Sequence, residues 1–232
     1  FETAIKKAQK SGNRKLLAKA LIGKGRVEHA RGNFLHAIKI RQRAASIFTE
    51  VGDKRGLSKA LTGIGSSYFA IDNNRMALEY HEKAAKVSEH IGDVRLLAYA
   101  LTNTSGVLIM LNKYNQAERN LTKALSILEN LGETDKIAPV CLNLSLVYRK
   151  TNVMEKALNY AKKGHEIALK IGTIGDIASS DAFLGEVLLE LKRYPEASKC
   201  FYNALHYAKK IQDKQLEIEM VKGLTVCNSI KF

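Results

Sequence analysis

The side chains of this sequence that are able to do chemistry do not converge on one another. Six histidines stand at positions 29, 36, 81, 90, 165 and 206. They form no HExxH and no i,i+4 pair of the kind that holds zinc on a helix face. Gly23-Lys24-Gly25 lies inside a predicted helix, and neither GxxxxGK[ST] nor GxGxxG occurs, so no phosphate-cradling loop is expected. Glu186 and Glu190 share one helix face, but acid–base or metal chemistry needs further converging groups, and they read as a solvated face. Cys141, Cys200 and Cys227 are odd in number, widely spaced and free of CxxC. They read as free thiols packed as small apolar groups in a reducing compartment, which points to the cytoplasm. Asn-x-Ser/Thr triplets begin at Asn103, Asn120 and Asn143, all within helical stretches, and read as chance matches rather than glycosylation sites. The expectation is a protein that is not an enzyme and uses no cofactor or metal.

What positions these residues is a repeat. Ser11-Gly12-Asn13, Val51-Gly52-Asp53, Ile91-Gly92-Asp93, Leu131-Gly132-Glu133, Ile171-Gly172-Thr173 and Ile211-Gln212-Asp213 fall in one column at a constant step with no insertion. A fixed period of this size, about 40 residues, marks a stack of supersecondary units rather than a globule around one central site. Within residues 54–91, Leu57, Ala60, Leu61, Ile64, Gly65, Tyr68 and Phe69 follow the 3/4 spacing of an amphipathic helix. Asp72-Asn73-Asn74 interrupts with turn chemistry, and Met76, Ala77, Tyr80, Ala84, Val87 and Ile91 begin the pattern again. Gly92 is expected to end that helix in the left-handed conformation, with Asp93 capping the next. Three columns of small residues set the helix packing: Ala37, 77, 117, 157 and 197; Ala44, 84, 124, Gly164 and Ala204; and Gly25, Gly65, Ser105, Ser145 and Gly185.

The unit is thus helix–turn–helix, and the expected fold is all-α, a right-handed α-solenoid of about twelve helices. Its parts are a half repeat 1–11, full repeats 14–51, 54–91, 94–131, 134–171 and 174–211, and a half repeat 214–230, in one solenoid domain over 1–232. Val221, Leu224, Val226 and Ile230 would leave an apolar face on the last helix, so the chain is expected to be a segment of a longer protein. The alternative is a homodimer through that face. No apolar run is long enough for a membrane span. Net charge is +14, and the excess is uneven: residues 1–50 hold 12 Lys/Arg against 3 Asp/Glu, residues 117–232 hold 17 against 14. A basic end favours an acidic partner. Nucleic acid is the lesser candidate, because no stacking aromatic recurs once per repeat and no recognition helix is evident.

Leu184-Gly185, Leu188, Tyr194-Pro195-Glu196-Ala197, Phe201 and Ala204-Leu205 resemble a tetratricopeptide repeat, as do Leu61, Ile64-Gly65, Tyr68, Ala77 and Ala84. The common unit of that family is shorter, about 34 residues. The longer unit here is similar to those of kinesin light chains, Pins-type scaffolds and the sensor segments of bacterial regulators. The resemblance places His81 where the family has a core aromatic. It also implies that the first helix of each repeat lines an inner, peptide-binding groove, with Lys19, Arg26, Lys59, Phe69, Tyr99, Asn103, Asn143 and Arg149 as the contact residues. Asn103 and Asn143 are equivalent positions whose amides would bind the backbone of an extended segment. The function implied is a protein- or peptide-binding scaffold, a sensing or docking region of a larger signalling or transcriptional regulator.

Overall fold

A computed structural model describes residues 1–229, and among them are twelve helices and no strand. Ile230, and with it the last position of the expected half repeat 214–230, lies outside the described residues. The chain divides into two compact units, Phe1–Ile127 and Leu128–Phe232. The first holds α1 (Glu2–Lys10), α2 (Arg14–Ala30), α3 (Phe34–Glu50), α4 (Lys54–Phe69), α5 (Asn74–His90), α6 (Val94–Met110) and most of α7 (Tyr114–Asn130). The second holds α8 (Thr134–Lys150), α9 (Met154–Ile171), α10 (Ile174–Glu190), α11 (Tyr194–Ile211) and α12 (Lys214–Ser229).

In each unit, chain neighbours pack together and the first helices of successive repeats also touch. In the first unit α2 meets α4 and α4 meets α6; in the second α8 meets α10 and α10 meets α12. The first helices therefore form an inner layer and the second helices an outer one, which is the tetratricopeptide-like α-solenoid arrangement. Lys123 reaches Glu89 at 3.1 Å and Lys163 reaches Glu129 at 2.6 Å, so one outer-layer ion pair recurs one repeat on. Such exposed pairs contribute about 0–1 kcal/mol each.

The turns carry a second, hidden period. Left-handed backbone occurs at Gly12, Gly32, Gly52, Asp72, Gly92, Asn112, Gly132, Asn152, Lys192 and Gln212, so the step is half a repeat or a multiple of it. At Gly92 the residue's N–H returns to the Glu89 carbonyl at 3.1 Å and the Asp93 N–H to the Ser88 carbonyl at 3.0 Å. This satisfies carbonyls that the helix end leaves open. Asp93 then accepts the Leu96 N–H at 3.0 Å and starts α6. The turn within a repeat has the same left-handed residue as the turn between repeats, although in most repeats its side chain is Asp, Asn or Lys rather than Gly. One position departs from the glycine column. Gly172 is extended (φ −78°, ψ 160°), α9 runs on to Ile171, and Thr173 and Asp176 cap α10 reciprocally. A Cβ at Gly172 would lie 2.5 Å from the Ala168 carbonyl oxygen.

The small-residue columns are buried in every repeat. The third column is matched to what faces it. A Cβ on Gly65 would stand 2.7 Å from the His81 ring, one on Gly185 2.6 Å from Phe201, and one on Gly25 2.8 Å from Arg41 Cγ. The partners lie one repeat step apart, at 41, 81, 121, 161 and 201. Where the partner is Leu121 or Ala161, the facing residue is Ser, and each serine bonds across to the second helix: Ser105 to the Ala117 carbonyl at 3.3 Å and Ser145 to the Ala157 carbonyl at 2.8 Å.

Candidate peptide-binding groove

The inner layer of the first unit contains a cavity of about 600 Å³ bordered by Lys15, Lys19, Ile22 and Arg26 of α2 and by Arg55, Gly56 and Lys59 of α4, with Phe48 and Asp53 between them. Gly56 is what lets the wall close: a Cβ there would meet the Phe48 ring at 2.4 Å. Of the residues expected from sequence, Lys19, Arg26 and Lys59 come together here. Asp53 is the one acid of the lining, and it is already committed. It accepts the Gly56 N–H at 2.9 Å and pairs with Lys15 at 2.9 Å. The Gly56 hydrogen bond is the main reason its carboxyl titrates below the usual range. Arg55 pairs with Asp93 at 3.0 Å. Lys19, Arg26 and Lys59 are exposed, and no described carboxylate pairs with any of them. The lining therefore carries three uncompensated cations beside an apolar patch made by Ile22 and Phe48.

Phe69, at the C-terminal end of α4, is 38% exposed. Tyr99 and Asn103 lie on α6, both half-buried, and among the described residues the Asn103 amide bonds neither its own helix nor a neighbour. In the second unit Asn143 occupies the same position on α8, half-buried and equally free. Arg149, also on α8, is different. Its guanidinium is held by Glu186 of α10, and Nε lies 3.5 Å from Glu190. The glutamate pair read from sequence as a solvated face stays exposed and also pairs with Arg149, so a ligand carboxylate there has to displace Glu186.

Two groups of polar residues had no signal in the sequence as site residues. Arg41 is 6% exposed and donates from Nη1 to the Gly63 carbonyl at 2.5 Å and to Ser67 Oγ at 2.6 Å. Its position is a core position of the repeat, and only the glycines at 25 and 63 hint at a long side chain between them. In the second unit Asp181 is 1% exposed, with Oδ1 3.8 Å from His165 Nε2 and no hydrogen bond to that oxygen. Burial raises the Asp181 carboxyl's pKa. The three thiols are unpaired, and burial pushes those of Cys141 and Cys200 up to about 11, away from reactivity. Val221 and Val226 of α12 are exposed at 50% and 43%, as is Ile218 at 52%, while Leu224 is buried, so the expected apolar face of the last helix is only partly open. Among the described residues no helix is long and apolar enough to cross a membrane, and no cluster of His, Cys, Asp and Glu could hold a metal.

No curated protein sequence matches this chain. Residues 16–90 match the family model described as Tetratricopeptide repeat. Among solved structures, BtubC (BKLC) from P. vanneervenii is 18% identical with a TM-score of 0.78, over 91% of this chain and 89% of that one. A signal transduction ATPase with a tetratricopeptide repeat sensor from Pyrococcus horikoshii is 20% identical with a TM-score of 0.75, over 92% of this chain and 34% of that one. The Rap conjugation gene regulator of the plasmid pLS20, solved in complex with a peptide, is 17% identical with a TM-score of 0.73, over 91% and 59%. This chain thus spans about a third of the Pyrococcus protein and under two thirds of the Rap regulator. With tetratricopeptide repeats matched at 16–90 and the same helix–turn–helix unit continuing through the second unit, the chain has the fold of tetratricopeptide-repeat proteins.

Proposed function

We propose that the chain is a protein- or peptide-binding scaffold, the sensing or docking region of a larger signalling or transcriptional regulator, and that it holds an extended acidic segment along its first helices. The observation that carries this reading is the cavity of the first unit, where Lys19, Arg26 and Lys59 face solvent without carboxylate partners among the described residues. Unpaired cations on an inner face attract an acidic segment and set its direction. The free amide of Asn103, and that of Asn143 at the same position one repeat on, each offer a donor and an acceptor to an extended backbone. Ile22, Phe48 and Phe69 supply apolar contact of the kind that dominates binding energy. The peptide held by the Rap regulator, which shares this fold, agrees with the reading.

The test is affinity capture from a nuclease-treated lysate with wild type, Lys19→Glu/Lys59→Glu and Asn103→Ala/Asn143→Ala. A protein retained by wild type and lost by both double variants supports the groove. Equal capture by all three removes it. Self-association is the second reading, favoured by the exposure of Ile218, Val221 and Val226 on α12. Light scattering at high micromolar concentration separates the two, since a monomer there excludes the dimer.

A further inference from the structure

Arg41 belongs to a second helix, yet its guanidinium ends in the inner layer. It leaves α3, passes Gly25 of α2, where a Cβ would lie 2.8 Å from Arg41 Cγ, and reaches Gly63 of α4, where a Cβ would lie 2.8 Å from Arg41 Nε. The position it reaches is telling. At the repeat step, residue 63 corresponds to Gly23, Asn103, Asn143 and Phe183. Asparagine supplies the polar group of the inner face in the third and fourth repeats. In the second repeat that place is vacated by Gly63 and filled by the guanidinium of Arg41.

Nothing in the fold requires a cation there. The equivalents of Arg41 are His81, Leu121, Ala161 and Phe201, all buried, and none carries a fixed charge. No described carboxylate pairs with Arg41. Its hydrogen bonds go to the Gly63 carbonyl and the Ser67 hydroxyl, and Ser67 Oγ is in turn hydrogen-bonded with His29 Nδ1 at 3.0 Å. Burial, aided by the neighbouring charge of Arg26, holds the Arg41 pKa below the ordinary arginine range. A buried guanidinium without a counter-charge is costly, and departures of this kind from the repeat's apolar pattern are expected at functional sites. The counter-charge is therefore expected from outside. Arg26 is the other cation whose field reaches Arg41, and Lys59 lies one helical turn before Gly63 on α4.

We infer that Arg41 is a recognition residue of the groove, and that with Arg26 and Lys59 it binds an oxyanion carried by the partner segment. This rests on the groove reading above and adds to it the chemistry of one anchor. A carboxylate and a phosphoryl group share that chemistry, since both accept from the fork of an arginine.

The experiment is fluorescence anisotropy with two labelled peptides, octaglutamate and a Gly-Ser peptide of matched length bearing three phosphoserines, with oligo-dT as a third probe. The proteins are wild type, Arg41→Leu, Arg41→Lys, Lys39→Gln as a charge control on the same helix, and Lys59→Glu. Leucine is the natural choice, because Leu121 holds the same position two repeats further on. The expected result is about tenfold or greater loss of affinity for at least one peptide in Arg41→Leu, with a melting temperature unchanged or raised. Lys39→Gln should bind as wild type, and Arg41→Lys should lie between, keeping the charge but losing the fork. The preferred peptide identifies the anion as carboxylate or phosphoryl. Wild-type affinity in Arg41→Leu overturns the inference, as does an equal loss in Lys39→Gln, which would make the effect one of net charge. Should Arg41→Leu fail to fold, wild-type affinity in Arg41→Lys with a lowered melting temperature assigns Arg41 to structure. Loss in Lys59→Glu without loss in the Arg41 variants removes the anchor and leaves the groove. Tighter, Arg41-dependent binding of oligo-dT, or binding of neither peptide, also overturns the inference, while the capture experiment independently decides the groove.

Discussion

His81 shows how one side chain gives up charge for packing. It is 2% exposed against Gly65, its Nδ1 makes no hydrogen bond, and burial pushes its pKa down to about 4. The sign of the consequence is fixed by that direction. The unfolded chain takes up a proton near pH 6.5, while the folded chain resists until about 4. Stability is therefore fully present above pH 6.5 and is lost as pH falls toward 4, by on the order of 3 kcal/mol. His81→Phe, which places the aromatic found at Phe201, should remove most of this slope. Thermal melts between pH 7.5 and 4.5 check it, and an unchanged slope in the variant would place the sensitivity elsewhere. At this scale the resemblance to tetratricopeptide repeats named the cations Lys19, Arg26 and Lys59 as groove residues. It could not show that Arg149 is taken by Glu186, because that pairing joins helices 37 residues apart in the chain.

Between helices, what counts is a matched pair of sizes rather than a single small residue. Gly65→Leu drives a side chain into the His81 ring and should destabilise α4 and α5 by about 1–3 kcal/mol or more. Hydrogen exchange should accelerate in those two helices first, since repeats are stabilised mainly by their neighbours. The double change Gly65→Ser with His81→Leu copies the Ser105 and Leu121 combination and should restore much of the loss; a double variant no better than the single one would refute the pairing. The turns offer an independent check. Lys192 holds φ +60°, a conformation that costs an L residue about 1 kcal/mol and costs glycine little. Lys192→Gly should therefore raise the melting temperature slightly, by about 0.5–1 kcal/mol of stability, whereas Lys192→Ala should not. The glycine column was legible as a string of letters. The turn at Asp72 was legible too, but the left-handed backbone it shares with Asn112, Asn152 and Lys192 was not, because different side chains occupy the same backbone geometry.

Charge is the property that distinguishes the two units. Positions 1–127 carry 22 Lys/Arg against 10 Asp/Glu, and positions 128–232 carry 15 against 13. A cationic surface exerts its field over about a Debye length, roughly 10 Å at 0.1 M salt. Binding of the octaglutamate probe should accordingly weaken several-fold between 50 and 300 mM salt. Lys19→Glu/Lys59→Glu should flatten that dependence, and a salt-independent affinity in wild type would argue that apolar contact, not charge, holds the segment. The repeat architecture makes this division natural: each helix pair needs only its neighbours for stability, so composition is free to change along the stack.

The first-helix positions of a groove came from the resemblance to tetratricopeptide repeats, whereas the periodicity alone determined the helix–turn–helix unit and the small-residue columns. These are local consequences of apolar spacing and turn chemistry, repeated often enough that chance cannot imitate them. Tertiary structure alone decided which of the expected contact charges are free and which are spent. Lys19, Arg26 and Lys59 stay open because Asp53 is bound to Lys15 and to the start of α4, while Arg149 is closed by a glutamate on the next inner helix. It alone also revealed Arg41, a residue at a core position whose long side chain crosses two glycines into the inner layer. The reason is that pairing and reach depend on distances between helices, and a repeat written along the chain carries no record of what a side chain meets across it.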